Sequence, residues 1–253
     1  MTKIFTILTI STWLAFATGC AGPPAPDAET LRRSLDAADR PAEDRARDDG
    51  RKPAEVVAFL GIRPGQTVVD LIAAGGYYSE VLSHVVGPSG TVYAQNSASG
   101  LQRRDGAYEK AISARLAGGR LANVRRLTAE LSDLGLAPDS VDAAITALNF
   151  HDIYNRAGEA AAVGVLQAVM AVLVPGGVLG IVDHVGNPGA DNKKLHRIEE
   201  SLVVDAAVQA GFEVEAVGDM LRSPEDDRTK FVFAPGMRGH TDRFVLRLRK
   251  PSR

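Results

Sequence analysis

The stretch Asp70–Glu80, DLIAAGGYYSE, joins an apolar run, Thr67-Val68-Val69, to an amphipathic run, Val81 to Val86. A strand that ends in small residues and opens a helix is where doubly wound α/β sheets bind nucleotide-like ligands. The turn lets a ligand approach the backbone, and the start of the helix offers free N–H groups and a positive dipole end. The dinucleotide pattern G-x-G-x-x-G is absent. Gly75 and Gly76 are adjacent and the bulky Tyr77 and Tyr78 follow, which argues against a nicotinamide enzyme.

Strands and helices alternate on either side of this loop. Short helices are expected over Glu29–Ala38 and Ala54–Leu60, and the charged segment Asp39–Lys52, DRPAEDRARDDGRK, is read between them as solvated, a helical lid edge or linker. Strands are expected at Thr67–Ile72, Thr91–Ala94, Asn123–Leu127, Val141–Leu148, Val178–Asp183, Phe212–Val217 and Asp242–Arg249. Helices are expected over Tyr78–Val86, Leu101–Leu116, Ala160–Leu173 and Lys194–Ala210. The strands nearest the loop are continuous apolar runs, as in a parallel sheet buried on both faces. The pattern predicts a doubly wound, Rossmann-like α/β fold: a seven-stranded, mostly parallel sheet with the last strand antiparallel. Ligands then belong beyond the carboxyl ends of the strands, at the switch point beside the first.

The chain has 253 residues, of which 45% are hydrophobic and 24% charged, enough for one sizeable α/β domain. A formal net charge of -2 with no Lys/Arg cluster supplies no field for nucleic acid. There is no internal repeat and no heptad pattern.

The N-terminus reads as a leader. Lys3 precedes an apolar stretch, Ile4 to Ala17, too short for a comfortable membrane span. Ala17-Thr18-Gly19 before Cys20, the single cysteine, resembles the lipobox of bacterial lipoproteins, with Ala at position 17 where Leu is commoner. The resemblance implies cleavage before Cys20 and lipidation of its thiol, which would also account for an unpaired cysteine in an exported protein. Residues 1–19 are then a signal peptide, 20–39 a lipid-anchor tether and linker with the Pro-rich AGPPAP segment, and 40–253 the globular domain. The expected location is the periplasmic face of the outer membrane, held by the lipidated Cys20, or the periplasm.

DLIAAGGYYSE resembles motif I of class I S-adenosylmethionine-dependent methyltransferases, D-x-G-x-G-x-G. Asp70 matches the acidic start and Gly76 the last glycine, while Ile72 and Ala74 stand at the other two glycine positions. The acid expected ~20 residues on, at the end of the second strand, is replaced by Asn96, which can accept a ribose hydroxyl but brings no charge. RKPAEVVAFLGIRPGQTVVDL, GPSGTVYA, ALNFHDIYN, the Asp183-His184 pair and DDRTKFVFAP to TDRFVLRLRK resemble a bacterial family of predicted methyltransferases from about Arg40 to Pro251. The resemblance implies S-adenosylmethionine as cofactor, contacted by Asp70, Ala74, Gly75, Gly76, Tyr77, Asn96 and Asn149, and a small-molecule methyl acceptor.

Methyl transfer needs positioning, plus a base where the acceptor must lose a proton. Two pairs stand at strand ends on the same rim: His151-Asp152 and Asp183-His184. His151 is the first candidate base and His184 the second, with Asp152 or Asp183 orienting either ring. His84 is read as structural, and His196-Arg197 as the start of a helix facing the cleft. No compact ligand spacing such as H-x-x-x-H occurs, so no metal is expected. The segment Arg222–His240 between the last two strands is read as a substrate lid whose Arg228, Lys230 and Arg238 face an anionic group, or else a surface hairpin. A hydrolase is set aside for want of a G-x-S-x-G elbow. Two readings remain: a methyltransferase, or a lipid-anchored, non-catalytic binding module on the same fold with a degenerate cofactor loop.

Overall fold

The computed structural model describes residues 24–252. The leader, Cys20 and the start of the tether lie outside the described residues. Among the described residues four helices come first: α1 (Ala28–Ala37), α2 (Ala42–Arg45), α3 (Asp48–Arg51) and α4 (Pro53–Leu60). Then follow β1 (Thr67–Leu71), α5 (Tyr77–Val86), β2 (Thr91–Asn96), α6 (Ala98–Leu101), α7 (Arg103–Leu116), β3 (Val124–Thr128) and β4 (Val141–Ala147). The last part is α8 (Phe150–Val172), β5 (Leu173–His184), α9 (Asn192–Leu195), α10 (Glu200–Ala210), β6 (Glu213–Gly218) and β7 (Arg243–Arg249).

The seven strands form one sheet in the order β3-β2-β1-β4-β5-β7-β6. Pairings from β3 across to β5 are parallel, and β7 runs antiparallel to both β5 and β6. The chain leaves β1 toward β2 and β3, then returns to β4 on the other side. The carboxyl ends of β1 and β4 therefore flank the switch point.

Alternation along the central strands gives each face its own core. Val69 and Leu71 of β1 and Ala144 of β4 pack with Phe150, Leu166 and Val169 of α8. Val68, Ala143 and Ile145 point the other way, onto Val56, Val57 and Leu60 of α4 and Val81 and Leu82 of α5. Apolar residues on both faces are what a doubly covered parallel strand requires. Pro53 opens α4, where its missing N–H costs nothing, and Gly61 closes it at φ 71°.

Four differences from the sequence reading have physical reasons. The segment 39–52 is largely exposed, as read, but not wholly: the chain forms α2 and α3 there, and Arg40 and Asp44 are buried with charged partners. Arg40, only 2% exposed, holds Asp48 through bonds of 2.6 and 3.0 Å. Nor is 20–39 all linker, since Leu31 and Leu35 of α1 are buried in the core beside α4 and α5. The helix read over Lys194–Ala210 is broken, because His196 takes φ 55° and Arg197 turns inward, fully buried. Finally α8 begins ten residues before Ala160 and kinks at Gly158, and β5 starts at Leu173 and carries Pro175-Gly176-Gly177 within it.

The segment 219–242 contains neither helix nor strand. It is fastened by a buried ion pair. Arg197 donates to both Asp226 oxygens at 2.8 and 3.1 Å and to the Lys230 carbonyl at 3.1 Å, and Asp226 also accepts the Asp242 N–H at 2.7 Å.

Candidate active site

The loop after β1 keeps a glycine backbone without the glycines. Ile72, Ala74 and Gly76 have φ of 54°, 51° and 83°. These are the three glycine positions of the D-x-G-x-G-x-G pattern. A β-branched residue in the left-handed region is an outlier, and such conformations cost ~1–3 kcal/mol each. The surroundings impose them. The Ile72 N–H donates to Gln95 Oε1 and the Ala74 N–H to Asn96 Oδ1, both at 2.9 Å, while the Ala73 N–H reaches the Gln95 carbonyl at 2.9 Å. Gln95 and Asn96, the last residues of β2, thus strap the loop from beside it.

The other face of the loop meets α7. A Cβ on Gly76 would lie 2.6 Å from Ile112 Cδ1, and one on Gly75 3.1 Å from the Ala111 Cβ. Arg115 donates to the Gly75 carbonyl at 2.6 Å and pairs with Asp44 at 2.6 Å. Arg115 and Arg120 both pair with the buried Glu80 of α5. The two glycines therefore admit a helix, and sequence reasoning missed both that packing and the role of Arg115.

Asp70 is 4% exposed and accepts the Ser79 hydroxyl at 2.6 Å. Burial pushes its carboxyl up to about 7, against the opposing hydrogen bond from Ser79. Tyr77 faces away from the loop: its hydroxyl donates to Asp48 Oδ1 at 2.5 Å, and the guanidiniums of Arg47 and Arg51 lie 4.8 and 4.5 Å from its ring centre. It fastens α3 to α5, so a side-chain contact to a cofactor does not fit. Asn96 spends its carbonyl oxygen on the loop rather than on solvent. Asn149, at the end of β4, donates to the Ala147 carbonyl at 2.8 Å and lies 3.5 Å from that of Ile72. One amide thus spans the tips of β4 and β1.

On the β4–β5 rim, Asp183 organises the site. It is fully buried; Oδ1 lies 2.7 Å from His151 Nδ1, and Oδ2 accepts the His151 backbone N–H at 2.7 Å. Asp183, not Asp152, therefore orients the His151 ring. Burial alone would depress the His151 pKa, but the Asp183 carboxylate outweighs it and holds the imidazole above its ordinary value. By the same pairing, and against burial, Asp183 stays below the usual carboxylate range. This is a buried acid–imidazole dyad whose second ring nitrogen, Nε2, faces His196.

His184 does not suit the base role. It is 7% exposed, bonded to Thr241 Oγ1 at 2.8 Å, and burial pushes its pKa down to about 3. His196 takes its place near the dyad. Its Nδ1 is 3.4 Å from His151 Nε2, and Asp152 Oδ1 is 3.8 Å from each of these two nitrogens. Nothing in the local sequence links residues 151 and 196; only the break after α9 swings the ring over.

The segment 219–242 also reaches this rim. The rings of Phe231 and Phe233 lie 5.3 and 5.7 Å from that of His196, and they are 40% and 50% exposed. They make an aromatic wall. Arg228, read as an anion contact, instead pairs with Asp242 at 2.8 Å, and Arg238 lies over Phe233. An open cleft of about 540 Å³ lies farther along, lined by Val185, Glu200, Arg222 and Asp242 rather than by the glycine loop. A small apolar cavity of about 10 Å³ touches Leu71, Ile72 and Phe150.

The chain matches no protein-family model and no curated protein. Among solved structures it is similar to an S-adenosylmethionine-dependent methyltransferase from Aquifex aeolicus, at 23% identity and a TM-score of 0.59, over 88% of this chain and 98% of that one. It is similar to the [4+2]-cyclase SpnF at 14% identity and a TM-score of 0.58, over 91% and 98% of the two chains. Aeropyrum pernix fibrillarin with natively bound S-adenosyl-L-methionine aligns at 14% identity and a TM-score of 0.51, over 80% and 76%. These likenesses establish the class I methyltransferase fold. The cyclase among them shows that the fold does not by itself fix the reaction.

Proposed function

We propose that this chain is an S-adenosylmethionine-dependent methyltransferase for a small-molecule acceptor, with His151 as the base that takes the acceptor's proton. The observation that carries the reading is the loop backbone: φ values of 54°, 51° and 83° at residues 72, 74 and 76, held although two of the three are not glycine. Strain of this kind persists where the surroundings over-determine it, and it concentrates at ligand sites.

The residues fit the cofactor in part. The carbonyls of Ile72 and Ala147 are near a single donor, Asn149 Nδ2, and a ligand ammonium could donate to the same pair. The N–H groups of residues 72–74 and the Asn96 oxygen are already satisfied within the protein, which supports weak binding. The cofactor would supply an electrophilic methyl group. On the protein's side, Asp183 fixes His151 so that Nε2 faces the rim, and Phe231 and Phe233 offer an apolar wall for the acceptor's carbon skeleton. The leader and Cys20 support an exported, lipid-anchored form of this protein, attached to the membrane through its N-terminus.

The test is calorimetric titration of the full-length chain with S-adenosylmethionine and S-adenosylhomocysteine, beside the Ala74→Gly/Asn96→Asp double variant. A carboxylate in place of the Asn96 amide would still accept the N–H of residue 74 while adding the charge a ribose hydroxyl prefers. Micromolar binding, tightened in the double variant, supports the methyltransferase. No heat and no thermal shift at millimolar ligand in either protein would sink it and leave the non-catalytic binding module.

A further inference from the structure

We propose that His151, Asp152 and His196 form a four-coordinate divalent-metal site of the zinc class beside the Phe231–Phe233 wall. Two of the residues come from the first turn of α8 and the third from the end of α9. That is why no ligand spacing in the sequence announces them.

The donor geometry carries the inference. His151 Nε2, His196 Nδ1 and Asp152 Oδ1 stand 3.4, 3.8 and 3.8 Å apart. The point equidistant from all three atoms lies about 2.1 Å from each, within the usual range for zinc bound to imidazole nitrogen and carboxylate oxygen. Adjacent ligands of a tetrahedral ion at that distance are ~3.4 Å apart, whereas cis ligands of an octahedral one are ~3.0 Å apart. The measured separations are nearer the first. A contraction of roughly 0.2 Å in them lifts the ion out of the plane of the three donors, toward a fourth ligand. Two imidazole nitrogens and one carboxylate favour zinc over magnesium or calcium, which prefer oxygen donors.

The support behind the ligands is also present. His151 Nδ1 donates to the fully buried Asp183 at 2.7 Å, so in the neutral ring Nε2 carries the lone pair and points at His196. A carboxylate behind a ligating imidazole fixes its tautomer and raises its basicity. Asp183 is itself fixed by the backbone N–H groups of His151 and His184, each at 2.7 Å. His196 caps the end of α9 at φ 55°, and its ring centre lies 5.4 Å from that of His151. Among the described residues one competitor exists: the half-exposed Arg156 lies 3.2 Å from the same Asp152 oxygen, and must release it or share the carboxylate. In the loaded protein His151 is a ligand; in the metal-free protein it is the base described above. The site does not depend on cofactor binding.

The experiment is titration of the metal-stripped, full-length chain with zinc chloride, followed by calorimetry, and with cobalt(II), followed by visible absorption. The expected result is one ion per chain and the intense absorption of four-coordinate cobalt. His196→Ala removes a ring and Asp152→Asn turns a carboxylate into an amide at side chains that are 32% and 29% exposed, so neither opens a cavity in the core. Each should weaken zinc binding by about 100-fold or more, and Asp183→Asn by about 10- to 100-fold. Failure of the wild type to bind stoichiometrically, unchanged binding in His196→Ala and Asp152→Asn, or a six-coordinate cobalt spectrum would overturn the proposal. S-adenosylmethionine is titrated separately. Zinc bound without it leaves the metal site standing and removes the methyltransferase, and the converse removes only the metal site.

Discussion

Replacing Asp70 by asparagine should change how the protein's stability depends on pH. The carboxyl is 4% exposed and burial raises its pKa from 3.8 to about 7. The unfolded chain releases this proton near pH 3.8, whereas the folded protein keeps it to about pH 7. Between those values the folded state binds the extra proton, so stability falls as pH rises, by about 1.4 kcal/mol per pH unit. Across the whole window the loss approaches about 4 kcal/mol and then levels off above the folded pKa. The amide of Asp70→Asn would keep an oxygen for the Ser79 hydroxyl and has no proton to lose. Urea unfolding of both proteins from pH 4 to pH 8 gives the difference directly. All other titrating groups cancel in it, and any constant cost of the amide only offsets it. The variant should gain on the wild type steadily up to about pH 7. A difference that stays flat across the range would refute the reasoning and mean that Asp70 ionises in place.

His184 should produce the opposite slope. It stays neutral in the folded protein to about pH 3 while the unfolded ring protonates near 6.5, so stability is lost as pH falls below 6.5, and His184→Asn should flatten that acid limb in the same unfolding series. Asp226→Ala strands the fully buried Arg197 and should cost about 3–5 kcal/mol, with faster proteolysis within 219–242; Arg197→Leu/Asp226→Leu should recover most of it. Gly76→Ala places a Cβ 2.6 Å from Ile112 Cδ1 at φ 83° and should cost about 2–4 kcal/mol in thermal or urea unfolding.

The strand pattern was legible because a doubly covered parallel strand is a local signal. Runs such as TVVDL and VDAAITA are apolar on both faces, and turn residues separate them from amphipathic helices. The loop after β1 was legible for the same reason, as was the rim position of His151 and Asp183. The burial of two charges within the segment 39–52 was not legible because pairing is not a local property. Arg40 and Asp44 are buried with partners that lie on other elements, Asp48 and Arg115, and composition alone says only that charges are present. The helix read through His196 and Arg197 misled for the same reason: Arg197 turns inward to meet Asp226, 29 residues away, and breaks the helix to do so.

The sequence by itself determined the order of the strands and the major helices, and a strand–loop–helix unit at the switch point. Each of these follows from short-range periodicity and from backbone preferences at glycine and proline. Only the tertiary structure decided which groups meet. It gave Asp183 to His151, sent His184 to Thr241, turned Asn96 onto the loop, and carried His196 across to His151 Nε2. Those contacts join residues 22 to 57 positions apart, and burial, charge pairing and backbone strain at φ 55° set them, none of which a local pattern can encode.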